Sequence, residues 1–400
     1  MARSDAMTSS TSSSTSPAAR SSATTVGILG GGQLGRMLAL AGAPLGLRFR
    51  LFDPARDACG GQVAPLFVGD FNDLEAVERF ALGGEDGPCD LVTYEFENVP
   101  VRTAAHLAGR LPVYPPPGAL ETAQDRLHER RLFERLGIPT PGYRVIDSLE
   151  DLRRAAAEEP LPALLKTRRL GYDGKGQCLV PSAEKCEAAW EAIGRAPALL
   201  DRFVAFEREV SVIAVRGRPT GGEPAEVRFY PVTENVHRGG ILRLSRAPSP
   251  HVSEDVQRQT EDAARKVVEA LDYVGVLAVE FFLVRRADGG AELLANEIAP
   301  RVHNSGHWTI EGAATSQFEN HLRAVCGLPL GPTEAVGHAA MVNLIGEVPR
   351  AAGVLGLEGA HLHDYGKEPR AGRKVGHVTL VGRTREEVDG MLERFTRVVG

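Results

Sequence analysis

The 400-residue sequence has no apolar run approaching the ~20 residues a membrane-spanning helix needs, so no membrane function is expected. It has little cysteine: Cys59, Cys89, Cys178, Cys186 and Cys326 are odd in number and include no C-x-x-C pair. That argues against a disulfide framework and for reduced thiols in a cytoplasmic protein. It lacks an excess of positive charge. With 46 Lys and Arg against 52 Asp and Glu, the net charge of −6 offers no basic field to nucleic acid or an anionic membrane. The first 24 residues are mostly Ser, Thr and Ala and lack the apolar core of a signal peptide. Arg3 and Arg20 are their only bases, too few for a transit peptide, so residues 1–24 are expected to be a disordered tail.

What is present is an ordinary globular composition, 43% hydrophobic and 24% charged, long enough for two or three domains. From Thr25 onward, short apolar strands alternate with helical stretches. Val26–Leu29, Arg48–Asp53, Leu66–Val68, Asp90–Tyr94 and Val113–Tyr114 read as strands. Gln33 to about Ala43, Asn72–Leu82 and Val101–Ala108 read as helices. Such alternation argues a parallel, doubly wound domain over residues 25–118. Gly30, Gly32 and Gly35 form G-x-G-x-x-G between a strand and a helix, and Asp53 follows 18 residues after Gly35. Alone, this reads as a dinucleotide site. More generally, it is a helix N-terminus facing an anion. The stiff Pro115–Gly118 stretch suggests a domain boundary.

Residues 119–205 read as a linker helix, Glu121–Leu136, followed by a small α/β unit. The strand Leu161–Lys166 ends in a lysine and precedes the glycine-rich loop Gly171-Tyr-Asp-Gly-Lys-Gly-Gln177. This is not a P-loop. Counted from Gly171, the second glycine falls at Gly176, but the lysine and hydroxyl positions hold Gln177 and Cys178. Three glycines still let backbone fold closely over an anion, as a lid over nucleotide phosphates would, with Lys166 reaching them as a point charge.

Residues 206–400 are richer in strands: Glu209–Val215, Glu226–Val232, Ile241–Ser245, Val276–Val284 and the strand leading to Ile298. The helices Val252–Leu271, Gln317–Val325 and Arg385–Val398 accompany them, with Met341–Ile345 and Val378–Val381 as further strands. Glu280 and Glu297 lie among apolar strand residues, where an unpaired charge is expensive. Two carboxylates on neighbouring strands suit a magnesium ion that also holds phosphates. The loop after Glu297 brings Arg301, His303, Asn304 and His307. A zinc reading of His303 and His307, four apart, is weakened by the helix-disfavouring residues between them and by the lack of a matching third ligand.

The lysine before a glycine-rich lid and the paired carboxylates resemble the ATP-grasp enzymes. Gly30–Arg36, Thr93–Val99, Phe229–His237, Asn296–Thr309 and Tyr365–His377 resemble one branch of them, the N5-carboxyaminoimidazole ribonucleotide synthetases of purine biosynthesis. The similarity spans about residues 25–385. It implies an ATP-grasp fold of α/β and α+β class: an N-terminal doubly wound domain, a small lid domain and a C-terminal mixed-sheet domain. It implies an ADP-producing ligase that joins 5-aminoimidazole ribonucleotide and bicarbonate at the expense of ATP, with magnesium, as a cytoplasmic homodimer.

By the same resemblance, Arg126, Lys166 and Gly171, Tyr172, Asp173, Gly174, Lys175, Gly176 and Gln177 would hold the ATP phosphates. Asp201, Arg202, Phe203, Val204 and Glu209 would line the adenosine, with aspartate at 201 where such proteins usually carry glutamate. His237 would lie beside the nucleotide, and Glu280 and Glu297 would bind magnesium with Asn296 adjacent. Gln33, Leu34, Glu95, Asn304, Lys367, Arg373 and Lys374 would hold the ribonucleotide. Arg301 and Lys367 would supply catalytic charge, and Asp173 and His303 are the candidates for moving the amine proton. Other readings are a formate-dependent glycinamide ribonucleotide transformylase, a NAD-dependent dehydrogenase, which leaves Lys166, the lid and both carboxylates unexplained, and a non-catalytic ATP-binding regulator.

Overall fold

The structure, a computed structural model, describes residues 24–83, 87–171, 174–219, 221–286 and 289–399. The expected tail falls on residues 1–24, of which 1–23 lie outside the described part. The first sheet has four parallel strands in the order Leu66–Val68, Arg48–Asp53, Thr25–Leu29, Leu91–Tyr94. Its centre is buried on both faces, which is why Thr25–Leu29 reads as an unbroken apolar run. The expected strand Val113–Tyr114 is reduced to a single parallel bridge, Val92 to Val113.

The helix expected over Glu121–Leu136 is two helices, Pro117–Ala123 and Arg126–Arg135. Asp125 causes the break. Its carboxylate caps the second helix by accepting the Leu127 N–H at 3.0 Å, and also takes Arg168 at 2.8 Å. Leu132 and Phe133 of that second helix pack into the core under the central sheet, with Val210, Val212 and Leu277.

The small unit is an antiparallel sheet ordered Tyr143–Ile146, Ala198–Arg202, Ala163–Thr167, Gln177–Val180, with a helix at Leu149–Glu158 that sequence patterning did not single out. Its loop tip reaches the central sheet. A Cβ at Gly174, where φ is +76°, would lie 3.1 Å from the Cα of Gly240 in a hairpin turn. Only glycine allows both that backbone conformation and that approach.

The central sheet has nine strands. Its path runs Ala291–Ala299, Gly275–Arg285, Arg208–Arg216, Thr233–Arg238, Ile241–Ala247, His338–Ile345, Lys374–Gly382, Ala360–Asp364, with Val227–Phe229 beside Arg208–Arg216. Expected to be of mixed sense, it pairs antiparallel at every described ladder. The expected strand Glu226–Val232 ends at Phe229, and a separate strand carries Glu234, Asn235 and His237. One apolar cluster joins the N-terminal sheet to this one, with Val26, Leu38 and Leu51 packed in the same core as Val276, Trp308 and Leu322.

Candidate active site

Strand register builds the site. Glu280 pairs with Glu297 on one side and Ser211 on the other. Thr233 pairs with Ser211, and Asn235 with Glu209 and Ser245. Paired residues share a face and side chains alternate with period two, so one face carries Glu297, Glu280, Ser211, Glu209, Asn235 and Ser245 in a polar row. A bulge between Glu280 and Phe281 and another between Val236 and His237 re-aim side chains beside this row. His237 Nδ1 sits 2.8 Å from Glu209 Oε2.

The two carboxylates differ in their surroundings. Burial, then the neighbouring Glu297 charge, push Glu280 up to about 7. Burial acts upward on Glu297 too, but Arg126, 3.0 Å away, outweighs it and holds the group below the usual carboxylate range. His303 Nε2 lies 3.4 Å from Glu280 Oε1. The amide oxygen of Asn296 is buried without a hydrogen-bond partner among the described residues. No group of three or more His, Cys, Asp or Glu side chains among those residues is placed to hold a metal ion.

On the lid side, Lys166 Nζ is 3.0 Å from Asp201 Oδ2, and the same oxygen accepts from Arg130 at 3.0 Å. Arg130 also donates to the carbonyls of Ala295 at 2.9 Å and Asn296 at 3.0 Å. Burial lowers the Lys166 pKa against the pull of Asp201. Asp201 is therefore the hub of a buried ion triad. Arg202, one residue on, faces the other side of its strand and donates to Glu159 at 2.7 Å, away from Lys166. Phe203 is exposed and Val204 half-buried beyond the strand end. Gly171 lies beside Arg126, Gly176 folds against Thr167, and Lys175 and Gln177 complete the loop. Tyr172 and Asp173 lie outside the described residues.

On the opposite side, the N-terminal domain meets the loop after Glu297. Arg301 donates from Nε to Glu97 Oε2 at 3.0 Å. Glu95 is buried, accepts the Gly32 N–H at 2.7 Å, and is pushed by burial up to about 7. Asp53 accepts the Gly31 N–H at 2.7 Å. The glycine turn thus spends two amides on its own chain's carboxylates. The amides of Gln33 and Leu34 remain in the helix's first turn, where N–H groups lack intrahelical partners. The Gln33 side chain accepts from Lys367 Nζ, and Gln62 donates to the carbonyls of Tyr365 and Gly366. Both polar atoms of the Asn304 side chain are buried without a partner among the described residues. Lys374 opens its strand, and Arg373 before it donates to the Glu368 carbonyl at 3.2 Å.

The sequence reading missed Glu97, Glu129 and Arg130. Arg126, Glu129 and Arg130 stand at helical spacing and all turn to the strand Ala291–Ala299; Glu129 accepts the Ile298 N–H at 2.5 Å. A charged stripe beside Leu132 and Phe133 was the available signal. His303 and His307 do not converge as zinc ligands would. His303 turns to Ser305 and Glu280, and the His307 ring lies 4.9 Å from that of His377.

Comparison with known proteins agrees along the chain. Family models match for the ribonucleotide synthetase preATP-grasp domain over residues 23–124, the ATP-grasp domain over 131–318, and the phosphoribosylaminoimidazole carboxylase C-terminal domain over 339–390. The chain is 52% identical over 355 residues to the N5-carboxyaminoimidazole ribonucleotide synthase of Pseudomonas aeruginosa, covering 89% of this chain and 94% of that protein. It is similar to the crystal structure of the synthetase from Thermus thermophilus, with 58% identity and a TM-score of 0.86 over 93% of this chain and 98% of that one. A synthase from Aspergillus clavatus, solved with ADP and 5-aminoimidazole ribonucleotide, superposes with a TM-score of 0.85 at 32% identity, covering 94% of this chain and 98% of that one.

Proposed function

This chain belongs to the N5-carboxyaminoimidazole ribonucleotide synthase family, and from that premise we propose how its own residues carry out the reaction. The protein is an ADP-forming ATP-grasp ligase that carboxylates 5-aminoimidazole ribonucleotide in purine biosynthesis. The carboxyl source is bicarbonate. Bicarbonate is a poor electrophile, and phosphoryl transfer from ATP converts it to carboxyphosphate, a mixed anhydride. Either that anhydride or the carbon dioxide it releases then meets the exocyclic amine. Phosphoryl transfer asks for alignment and charge neutralisation more than covalent help.

The observation that carries this reading is the Glu280–Glu297 pair, with Arg126 3.0 Å from Glu297 and the loop bearing Arg301 and Asn304 following Glu297 in the chain. ATP lies on the lid side. Lys166 and Arg126 face its phosphates, and Gly171 and the Gly174–Gln177 stretch of the glycine-rich loop cover them. Asp201 acts there by holding Lys166, and the backbone from Arg202 to Val204 lines the adenosine with Glu209 and His237. The ribonucleotide lies on the other side, against Gln33, Leu34 and Glu95, with Asn304 offering its unpaired amide. Lys367, Arg373 and Lys374 hold its 5′-phosphate. Arg301, fixed by Glu97, places a positive charge between the two halves.

A divalent metal is implied by the fold family, and the donor set fits magnesium. Two carboxylates stand side by side, an unpaired amide oxygen from Asn296 adjoins them, and phosphate oxygens complete a hard-oxygen set. Held there, the ion would neutralise charge on the transferring phosphoryl group. No helix among the described residues is long and apolar enough to cross a membrane, and a cytoplasmic homodimer is the working form we propose.

Phosphate release with each substrate omitted in turn tests the assignment. Full rate should need ATP, 5-aminoimidazole ribonucleotide and bicarbonate together. Activity with formate and a glycinamide ribonucleotide instead would transfer the protein to the neighbouring ATP-grasp reaction.

A further inference from the structure

We propose that Ser245, Asn235, Ser211 and Ser305 form a one-way hydrogen-bond relay that holds His303 as its Nε2–H tautomer, making the ring a hydrogen-bond donor at the site and not a proton acceptor. The proposal deepens the reading above and rests on it only for the substrate the donor serves.

The five side chains are buried and linked in series. Ser245 Oγ donates to Asn235 Oδ1 at 2.8 Å, and Asn235 Nδ2 donates to Ser211 Oγ at 2.9 Å. Ser211 Oγ is 2.7 Å from Ser305 Oγ, which is 2.9 Å from His303 Nδ1. The backbone N–H of Ser305 also points at His303 Nδ1, at 3.3 Å.

Counting hydrogens fixes the direction. A hydroxyl has one hydrogen to give. Ser211 accepts from Asn235, so its own hydrogen goes to Ser305. Ser305 then gives its hydrogen to His303 Nδ1, which already accepts from the Ser305 amide. Nδ1 carries no hydrogen, and the ring hydrogen sits on Nε2, the nitrogen facing Glu280. Reversing the chain requires turning the Asn235 amide over. That leaves the buried Ser245 hydroxyl without an acceptor and sets a ring N–H against the Ser305 amide N–H. A buried donor without an acceptor carries its full desolvation cost.

An Nε2–H aimed into the space beside Glu280 suits an oxyanion, such as a carboxyl oxygen derived from bicarbonate. It cannot take the proton released by the amine, so His303 is not the shuttle that the loop's sequence suggested. Ser211, Asn235, Ser245 and Ser305 are positioning residues, since they act through His303.

Ring-nitrogen NMR of the full chain labelled with 15N-histidine tests this directly. The chain has 11 histidines, and the His303 signals are those lost in His303→Gln. The wild type should show an unprotonated Nδ1 and a protonated Nε2; a protonated Nδ1 overturns the proposal. In Asn235→Asp the side chain only accepts, so both Ser245 and Ser211 point at it, Ser305 donates back to Ser211, and His303 gains its hydrogen at Nδ1. An unchanged ring pattern in folded Asn235→Asp also overturns the relay. Ser211→Ala should lose the single-tautomer pattern and about ten- to a hundredfold in kcat, the scale seen for outer-shell partners of metal-ligating histidines, with the KM for ATP unchanged. Ser211→Thr, which keeps the hydroxyl, should restore both. A merely structural role would lower stability in Ser211→Ala without altering the ring nitrogens, and that result counts against the relay. A wild type that has the expected ring pattern but no ribonucleotide-dependent turnover overturns the substrate reading and leaves the relay standing.

Discussion

The triad of Asp201, Lys166 and Arg130 makes an ordered prediction. One carboxylate oxygen serves two cations, each 3.0 Å away, and all three side chains are at least nine-tenths buried. The cluster therefore carries one surplus positive charge, which is what an ATP phosphate would meet in the proposed arrangement. Lys166→Met removes that surplus and keeps most of the aliphatic stem; Asp201 keeps Arg130 as partner. Removing one member of a buried ionic cluster is costly chiefly when it leaves a charge uncompensated; Asp201 and Arg130 still neutralise each other here, so the change in stability should stay within about 1 kcal/mol. Arg130→Met leaves the Asp201–Lys166 pair but strips two carbonyls, the buried one of Ala295 and the half-buried one of Asn296, of a charged donor. At about 1–3 kcal/mol per unsatisfied group, it should cost about 2–6 kcal/mol. Asp201→Asn leaves two adjacent buried cations with no counter-charge and should cost at least the about 3–5 kcal/mol of a broken buried pair. Urea unfolding of the ATP-free proteins should show Asp201→Asn and Arg130→Met both clearly more destabilised than Lys166→Met. Lys166→Met should nevertheless lose most ATP turnover. Equal stability of Asp201→Asn and Lys166→Met would refute the shared-carboxylate argument, and normal ATP kinetics in folded Lys166→Met would refute the phosphate role.

Glu280→Gln and Glu297→Gln should each cut turnover strongly and recover in part at high magnesium, because each would remove one ligand of the proposed cation that neutralises the phosphoryl group; initial rates titrated with magnesium check this. Neutralising Arg373 and Lys374 should raise the KM for the ribonucleotide far more than that for ATP, at about 1.5–3 kcal/mol per lost charge-assisted contact, while Lys166 variants show the opposite bias. Burial lifts Glu95 to about 7 from 4.5, so between those values the folded protein holds a proton that the unfolded chain has released, and stability falls as pH rises through that window. Glu95→Gln should flatten that loss, worth up to about 3 kcal/mol, in urea midpoints measured across pH 5 to 8.

Much of the scaffold was legible because its signals are local. Apolar runs bounded by glycine marked the parallel strands, and Val101–Ala108 forms over the residues its spacing predicts. The paired carboxylates stood out as isolated charges in apolar strands. What stayed hidden depends on contacts between distant segments. Nothing near Asp201 in the chain announces Lys166 or Arg130, which lie 35 and 71 residues away. Asp125 splits a helix because it serves as cap and as ion partner at once, a competition no periodicity records. Ser211, Asn235 and Ser245 each look like an incidental polar residue in its own strand. Only register aligns them on one face and gives each a partner. The glycine turn misled in a different way. Its spacing suits a dinucleotide, but Asp53 and Glu95 occupy two of its amides.

The central claim is that both halves of the cleft serve one bond-forming event beside Glu280 and Glu297. The most direct measurement is NMR of the product made from ATP, 13C-bicarbonate and 5-aminoimidazole ribonucleotide labelled with 15N at the exocyclic amine. A one-bond 13C–15N coupling should appear in the ribonucleotide product, in step with one ADP and one phosphate per turnover. ATP hydrolysis that leaves all the 13C in bicarbonate, or label joined to ring carbon instead of the amine, would contradict it.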